Sequence, residues 1–179
     1  MRKFLSIFLS LFITASAFAQ TFTVDGVNYN VTDAANKTVE VGDNSNSNLT
    51  NVVIPEKVVD PNDAGTKYTV TSIGLCAFLS NTALQSVTIP NSVTSIDAFA
   101  FYDCKSLVSV TCNATTAPTR NGNIFDDTSV IALNVPAGSE KSYKEKWMDK
   151  FVSPAKAAVA AASAASFKAK ETENAVRAA

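Results

Sequence analysis

The residues that could do chemistry in this sequence are carboxylates and thiols, because the 179 residues include no histidine. A Ser/His/Asp triad, a Cys/His pair and a His-ligated metal are therefore excluded within the chain. Neighbouring carboxylates occur at Asp126–Asp127 and at Asp60 and Asp63. Paired carboxylates can hydrolyse glycosides when they face each other across a cleft of about 5–10 Å. Short repeat folds rarely form such a cleft, so we expect surface pairs rather than a carbohydrate-acting enzyme.

Two further groups could hold a metal. The segment 43–48 reads Asp-Asn-Ser-Asn-Ser-Asn and is rich in oxygen ligands. It lacks the glycine and terminal glutamate of an EF-hand, which favours a solvated loop over a calcium site. Cys76, Cys104 and Cys112 contain no CxxC pair, which argues against a zinc site, and their odd count leaves at least one thiol unpaired. We expect buried free thiols, no metal and no cofactor.

The N-terminus predicts a signal peptide over residues 1–19. Met1–Lys3 is positively charged, residues 4–13 are apolar, and Ala17–Ala19 has the small-x-small pattern of a cleavage site. A membrane-spanning helix needs roughly 20 apolar residues, about twice this run. We therefore expect export to the periplasm, the cell surface or the extracellular space, a mature start at Gln20, and no transmembrane segment in the mature protein.

Charge is distributed unevenly along the chain. Residues 20–139 carry 5 basic and 11 acidic side chains, whereas residues 140–179 carry 8 basic and 5 acidic ones. A phosphate-tracking groove needs clustered Lys and Arg, so the acidic body argues against a nucleic-acid partner.

A 23-residue repeat organises the middle of the chain. Segments 84–90, 107–113 and 130–136 share one pattern and follow each other at that spacing. A fourth copy at 49–55 precedes them, separated by an extra 12 residues around 60–67. The later half recurs as well, with Val-Thr-Ser-Ile at 70–73 and 93–96 and Ala-Phe at 77–78 and 100–101. In the third copy this later half decays, because Thr119 and Gly122 stand where apolar residues are expected.

Each copy predicts a β-strand whose side chains alternate between core and surface. The inward positions are Val52 and Ile54, Val87 and Ile89, Val110 and Cys112, and Leu133 and Val135. The outward positions are Asn51 and Val53, Ser86 and Thr88, Ser109 and Thr111, and Ala132 and Asn134. One unit cannot bury its apolar face alone, so the units should stack as a solenoid of parallel strands. We expect residues 97–106 to form a short helical or 3₁₀ return.

The segment 87–96, Val-Thr-Ile-Pro-Asn-Ser-Val-Thr-Ser-Ile, is followed by Ala100–Cys104 and Leu107. With these residues the chain closely resembles the BspA-like leucine-rich repeat family of secreted and surface bacterial proteins. The resemblance covers residues 49–136. It implies a short horseshoe and a role in adhesion or protein binding, with no catalytic residues.

The resemblance extends to both ends of the repeats. Phe22–Val41 looks like the N-terminal strand cap of the family, and its Asp25-Gly26 pair predicts a hairpin turn. Residues 135–139, with Tyr143 and Trp147, look like the terminating unit of the family.

The sequence thus predicts a β-rich α/β solenoid, a leucine-rich-repeat horseshoe of about four units with an N-terminal β-hairpin cap. The alanine-rich C-terminal tail holds 12 alanines in 28 residues and should be partly helical or disordered, with a docked cap as the alternative. The expected divisions are a signal peptide (1–19), a β cap (20–48), the repeats with their terminating unit (49–151) and the tail (152–179).

Two functions compete. The first is a secreted, non-enzymatic binding or adhesion module for a protein such as a host matrix or cell-surface protein. The second is a structural repeat fragment or cap with no binding role. In the first, the outward strand residues would form the site: Asn51, Ser86, Thr88, Ser109, Thr111 and Asn134. The oligomeric state is left open.

Overall fold

The structure is a computed structural model and describes residues 20–63, 65–128 and 132–147. The predicted signal peptide and the alanine-rich tail lie outside these residues. The strands are β1 (Thr21–Val24), β2 (Val27–Asp33), β3 (Thr38–Val41), β4 (Asn51–Val53), β5 (Lys57–Val59), β6 (Lys67–Ile73), β7 (Ser86–Ile89), β8 (Ser95–Asp97), β9 (Ser109–Cys112), β10 (Thr119–Asn121) and β11 (Ala132–Asn134). One helix, α1 (Glu140–Trp147), follows them in the described chain.

The first strand of each repeat joins a four-stranded parallel sheet in the order β11-β9-β7-β4. Its register aligns equivalent residues, so that Val52, Val87, Val110 and Leu133 lie side by side. These four residues are buried, as are Ile54, Ile89 and Cys112. The predicted strand register is therefore confirmed, and parallel pairing follows because each copy enters the sheet in the same direction.

A second sheet, which the sequence analysis did not predict, contains the later half of the repeats. The first recurring Val-Thr-Ser-Ile segment lies in β6, and the second begins just before β8 and ends within it. β6 and β8 pair in parallel with each other, and β8 pairs with β10. The order is β1-β2-β3-β6-β8-β10, with β5 also paired to β6. The decayed third copy still joins this sheet through a one-residue shift, since Thr119 aligns with Ser95 rather than with Ile96.

The return at residues 97–106 is not helical as expected but a series of turns. Its backbone makes short turn bonds within the return, such as Tyr102 N to Phe99 O (3.1 Å), and also bonds to the neighbouring copies: Phe78 N donates to Ala100 O (2.8 Å) and Phe101 N donates to Ile124 O (2.9 Å). A helix would have used these N–H groups internally. Ser80, Asp103 and Asp127, at equivalent positions, all adopt a left-handed conformation with φ between 54° and 59°.

The N-terminal strands form an antiparallel meander, β1-β2-β3, whose last strand pairs in parallel with β6. Val24 and Val27 face each other across a two-residue turn. Asp25 (φ 51°) and Gly26 (φ 79°) are both left-handed, which is the backbone of a type I′ turn. The hairpin turn predicted at this pair is confirmed.

The insertion around residues 60–67 forms the tip of a second hairpin, between β5 and β6. Asp60, expected on the surface, is instead fully buried. Its carboxylate accepts hydrogen bonds from Asn62 N (2.7 Å) and from the side-chain amide of Gln20. The expectation was wrong because the carboxylate accepts from one donor in its own turn and from Gln20, which is 40 positions away in the sequence.

Between the two sheets and the turns, a row of aromatic rings runs through the core. The Phe78 and Phe101 rings stack with centroids 5.4 Å apart, and Phe101 and Phe125 repeat that spacing. Trp147 of α1 then packs edge-on against Phe125 at 5.7 Å. The helix is held by Trp147 Nε1, which donates to Pro118 O, and by Tyr143 Oη, which donates to Ala114 O.

The segment 43–48 is only partly the solvated loop that was expected. Asn44 is buried, and its Oδ1 accepts from Asn28 N (2.9 Å) while its Nδ2 donates to Gly42 O (2.9 Å). Its backbone N–H donates to Ala77 O. Asn44 therefore attaches the meander to the first turn layer, a role that depends on partners distant in sequence.

Candidate binding surface

The outward side chains of β4, β7, β9 and β11 form one surface, which we term the sheet face. Two rows cross it at matched register, each with one residue from every strand. The first row holds Asn51, Ser86, Ser109 and Ala132, and the second holds Val53, Thr88, Thr111 and Asn134. The structure thus brings all six predicted site residues together on one side of one sheet.

Several of these side chains bond to each other. Ser86 Oγ donates to Asn51 Oδ1 at 2.7 Å. At the other end of the face, Asn134 Nδ2 lies 3.3 Å from Ser109 Oγ and 3.4 Å from Thr111 Oγ1. The polar groups are therefore partly satisfied without a partner, and a ligand would have to compete with or extend this network.

Sequence reasoning missed the apolar part of this surface. Val53 is 72% exposed in the second row, and Val108, just before β9, is 51% exposed. The alternation in the sequence already placed Val53 outward, so an apolar residue at a surface position was the available signal. Val53 gives the sheet face an apolar contact to offer alongside its hydroxyls and amides.

A groove lies beside β4, at the edge of the sheet face, and we term it the β4 groove. Its volume is about 240 Å³. Its lining consists of Val24, Asp25, Val27, Tyr29, Leu49, Asn51, Val52, Val53 and Pro55. Burial, together with the negative charge of Asp25, raises the pKa of Tyr29 to about 12, so its hydroxyl stays protonated near neutral pH.

The carboxylates lie in different surroundings. Asp127 is exposed and its Oδ2 accepts from Tyr102 Oη at 3.1 Å, in keeping with the predicted surface pair. Lys105, 3.1 Å from Asp103, lowers the pKa of that carboxyl below its usual value. Within the described residues, no group of three or more Cys, Asp or Glu side chains is placed to hold a metal ion.

The three thiols differ in environment. Cys104 and Cys112 are buried free cysteines and Cys76 is half-buried. Burial raises the pKa of the Cys104 thiol to about 11, and its Sγ lies 2.9 Å from Phe78 O. Burial also raises the pKa of Cys112. The two buried thiols therefore act as apolar core groups, as the sequence predicted.

The repeats are similar to those of a known protein family. A family model described as the BspA type leucine rich repeat region (6 copies) matches residues 65–149. The first repeat copy, at residues 49–55, precedes this match. No curated protein matches the chain. The longest helix among the described residues is too short and too polar to cross a membrane.

Three solved bacterial structures are similar to the chain. A leucine-rich repeat protein from Bacteroides capillosus is 25% identical, with a TM-score of 0.48, over 65% of this chain and 99% of that one. A leucine rich cell surface protein from Faecalibacterium prausnitzii is 30% identical, with a TM-score of 0.41, over 52% of this chain and 23% of that one. A leucine-rich repeat protein from Bacteroides ovatus is 23% identical, with a TM-score of 0.46, over 64% of this chain and 37% of that one. The chain therefore covers less than two thirds of the length of the last two.

Proposed function

Because residues 65–149 belong to the BspA-type leucine-rich repeat family, we propose that the protein is an exported, non-enzymatic module that binds another protein on its sheet face. The supporting observation is the matched register of Asn51, Ser86 and Ser109 in one row and Thr88, Thr111 and Asn134 in the next. Asn51 and Asn134 are exposed and the other four are half-buried, so all six leave some surface for a partner to contact.

The size of the surface limits the affinity. A stable interface needs about 800 Å² from each partner, and the sheet face has four short strands whose outward residues are mostly small. It also lacks the Trp, Tyr and Arg side chains that commonly anchor hot spots. Val53 is the large, exposed apolar side chain that this surface offers. We infer modest affinity, with adjoining loops contributing area.

The proposal includes the architecture and destination expected from the sequence. The four parallel strands are four units of a short horseshoe, residues 20–48 are its N-terminal cap, and the repeats with their terminating unit end at residue 151. The protein is exported after removal of residues 1–19 and acts in the periplasm, on the cell surface or outside the cell. N-terminal mass spectrometry of exported protein tests this, with Gln20 as the expected first residue and an intact Met1 as the contradicting result.

One observation favours a second candidate function. The hydrogen bonds from Ser86 to Asn51 and from Asn134 to its two neighbours satisfy polar groups within the sheet face itself. A face that serves only to complete a repeat would have this property. In that case the protein is a structural fragment with no partner.

A capture experiment with a charged variant separates the two. Purified protein is immobilised, incubated with host matrix and cell-surface extracts, and any captured protein is identified and titrated. We expect the double substitution Ser86→Lys with Thr111→Lys to abolish capture, because two ammonium groups then project from the centre of the face. The two positions lie diagonally on β7 and β9, which keeps the new charges from facing each other directly.

The matched control is Thr21→Lys with Thr119→Lys, which adds the same charge at exposed positions of the other sheet. Thermal melting of both variants checks that they fold. Loss of capture in the first variant alone supports the sheet face as the site. Equal capture by the parent and both variants would rule the sheet face out, and absence of any saturable partner would favour the structural candidate.

A further inference from the structure

The outer edge of β4 carries backbone groups that the sheet leaves unpaired. Ser86 N donates to Thr50 O (3.2 Å) and Ile54 N donates to Thr88 O (2.9 Å). In a parallel ladder, alternate residues of a strand bond to the same neighbour. Positions 50, 52 and 54 therefore face β7, whereas the N–H and C=O groups of Asn51 and Val53 point away from it. β4 has no pairing partner on that side among the described strands.

The β4 groove lies along this unpaired edge, and its far wall is the β1–β2 hairpin. The turn of that hairpin approaches the start of β4 closely, since a Cβ on Gly26 would lie 3.3 Å from Leu49 Cδ2. Apolar side chains from both walls face the groove, including Val24, Leu49, Val53 and Pro55. The groove therefore combines free backbone donors and acceptors with an apolar lining.

The size and walls of the groove restrict its occupant. Its volume, about 240 Å³, is below the roughly 300 Å³ at which sites for drug-sized molecules begin. A second copy of this chain would have to bring its own β4 edge together with its own hairpin wall, and both hairpins would then compete for one groove. Neither restriction applies to a single extended segment. Its backbone would lie about 4.8 Å from β4 along the open edge, and one side chain would enter the groove.

The charge of the groove selects among extended segments. Asp25 is the one charged residue in the lining, and no Lys or Arg offsets it. A segment with alternating apolar side chains and a Lys or Arg near Asp25 would match this lining.

We propose that the β4 edge binds an extended basic peptide segment of a partner protein by strand addition. The Asn51 and Val53 backbone groups pair with the peptide backbone, an apolar side chain enters the groove, and a cationic side chain lies beside Asp25. This site shares Asn51 and Val53 with the sheet face but uses their outward backbone groups, and it does not depend on the polar side chains of β7, β9 and β11.

The test uses the synthetic peptide Lys-Thr-Val-Thr-Val-Lys and follows the backbone amides of the full-length protein by NMR and hydrogen exchange. We expect saturable binding that slows exchange of the Val53 amide. A peptide with both lysines replaced by glutamate should bind at least about fivefold more weakly at low salt, because it faces Asp25. A peptide N-methylated at its central residues should not protect Val53.

Two protein variants complete the test. Val53→Pro removes the outward donor, and proline is tolerated on an edge strand where its N–H position faces outward. We expect it to weaken peptide binding about fivefold or more, the scale of one lost hydrogen bond. Asp25→Asn should abolish the preference for the lysine peptide, since asparagine tolerates the left-handed backbone of that turn. Asp63→Asn, exposed on the other hairpin tip, is the charge control and should bind as the parent does.

Different results would overturn the proposal. Equal binding of the N-methylated and unmodified peptides would exclude strand addition. Protection of Val53 that appears without peptide and grows with protein concentration would mean that a second copy occupies the edge. Thr111→Lys alters the sheet face and leaves the β4 edge unchanged, so this variant should bind the peptide as tightly as the parent does. Failure of this proposal can therefore be distinguished from failure of the sheet-face proposal.

Discussion

Phe78 and Phe101 stack with their ring planes within 5° of parallel and their centroids 5.4 Å apart, although they are 23 positions apart in the sequence. The pair shows that equivalent residues of successive copies contact each other directly. Removing the central ring breaks two contacts at once, because Phe101 also stacks on Phe125.

Phe101→Ala should lower the free energy of unfolding by about 3–5 kcal/mol, the usual cost of deleting a buried phenyl ring. Urea denaturation measures the change. Tyr102→Phe is the matched control, because this neighbouring side chain is half-buried and loses only the surface bond from its hydroxyl to Asp127. A similar loss in both variants would contradict the stacked core.

Ile89 and Thr88 test the strand register. Ile89 is fully buried and Thr88 projects from the sheet face. Ile89→Ala should cost about 2–5 kcal/mol of stability, whereas Thr88→Ala should cost little, as surface changes usually do. Chemical denaturation of the two variants side by side gives the comparison, and equal effects would show that the register is wrong.

The pattern in the sequence was sufficient for this part of the fold because core and surface alternate strictly in Ser86–Ile89. It was insufficient for the second sheet, since β8 has only three residues and a single buried side chain, Ile96. A one-residue shift before Thr119 also moves the third copy out of the 23-residue spacing, so the sequence pattern did not show that this copy continues the sheet. Burial of Asn44 and Asp60 depended on hydrogen-bond partners outside their own repeats or turns.

For the candidate site, the sequence predicted which six side chains share a face but not what surrounds them. The β4 groove depends on where the β1–β2 hairpin lies relative to β4, a tertiary relationship that no periodicity encodes. The sequence pattern predicted that Val53 points outward, but only the structure shows that it lies on a strand whose outer edge is unpaired.

The thiols should react at very different rates. Cys76 is half-buried and should be labelled first by a thiol reagent such as Ellman's reagent. Cys104 should be labelled only on unfolding, since burial excludes the reagent and raises its pKa to about 11, which leaves little thiolate near neutral pH. In Cys76→Ser the fast phase should disappear. A fast phase that persists in this variant would mean that a buried thiol is accessible.

Acid should destabilise the protein partly through Asp33. Its carboxylate accepts hydrogen bonds from Asn36 N and Asn36 Nδ2, which hold its folded-state pKa below the ordinary 3.8. A lowered folded-state pKa contributes stability that is present above 3.8 and is lost as the pH falls through the folded value. Urea midpoints measured from neutral pH down through this range should therefore fall less in Asp33→Asn than in the parent.

Because the hydrogen bonds of the Asp33 carboxylate lie at the surface, the difference should be small. Asp63→Asn provides the reference for removing an exposed carboxylate that lacks these bonds to Asn36. A steeper acid loss in Asp33→Asn than in the parent would contradict the assignment.

The left-handed turn positions Ser80, Asp103 and Asp127 have one further consequence, for how such a chain can change its length. Each copy contacts the next through the same left-handed turn, parallel strand pairing and stacked phenyl ring through which the previous copy contacts it. A duplication of one 23-residue segment inside the repeats would therefore add one repeat copy without creating a new kind of contact. A deletion of the same length would remove one copy. Trp147 and Tyr143 would still close the stack, because Trp147 packs on Phe125, the last stacked ring, and the two side chains donate to Pro118 O and Ala114 O of the same copy. Gene-level expansion and contraction are thus compatible with the native packing, whereas a gain or loss of a few residues has to be absorbed in a turn, as it is before Thr119.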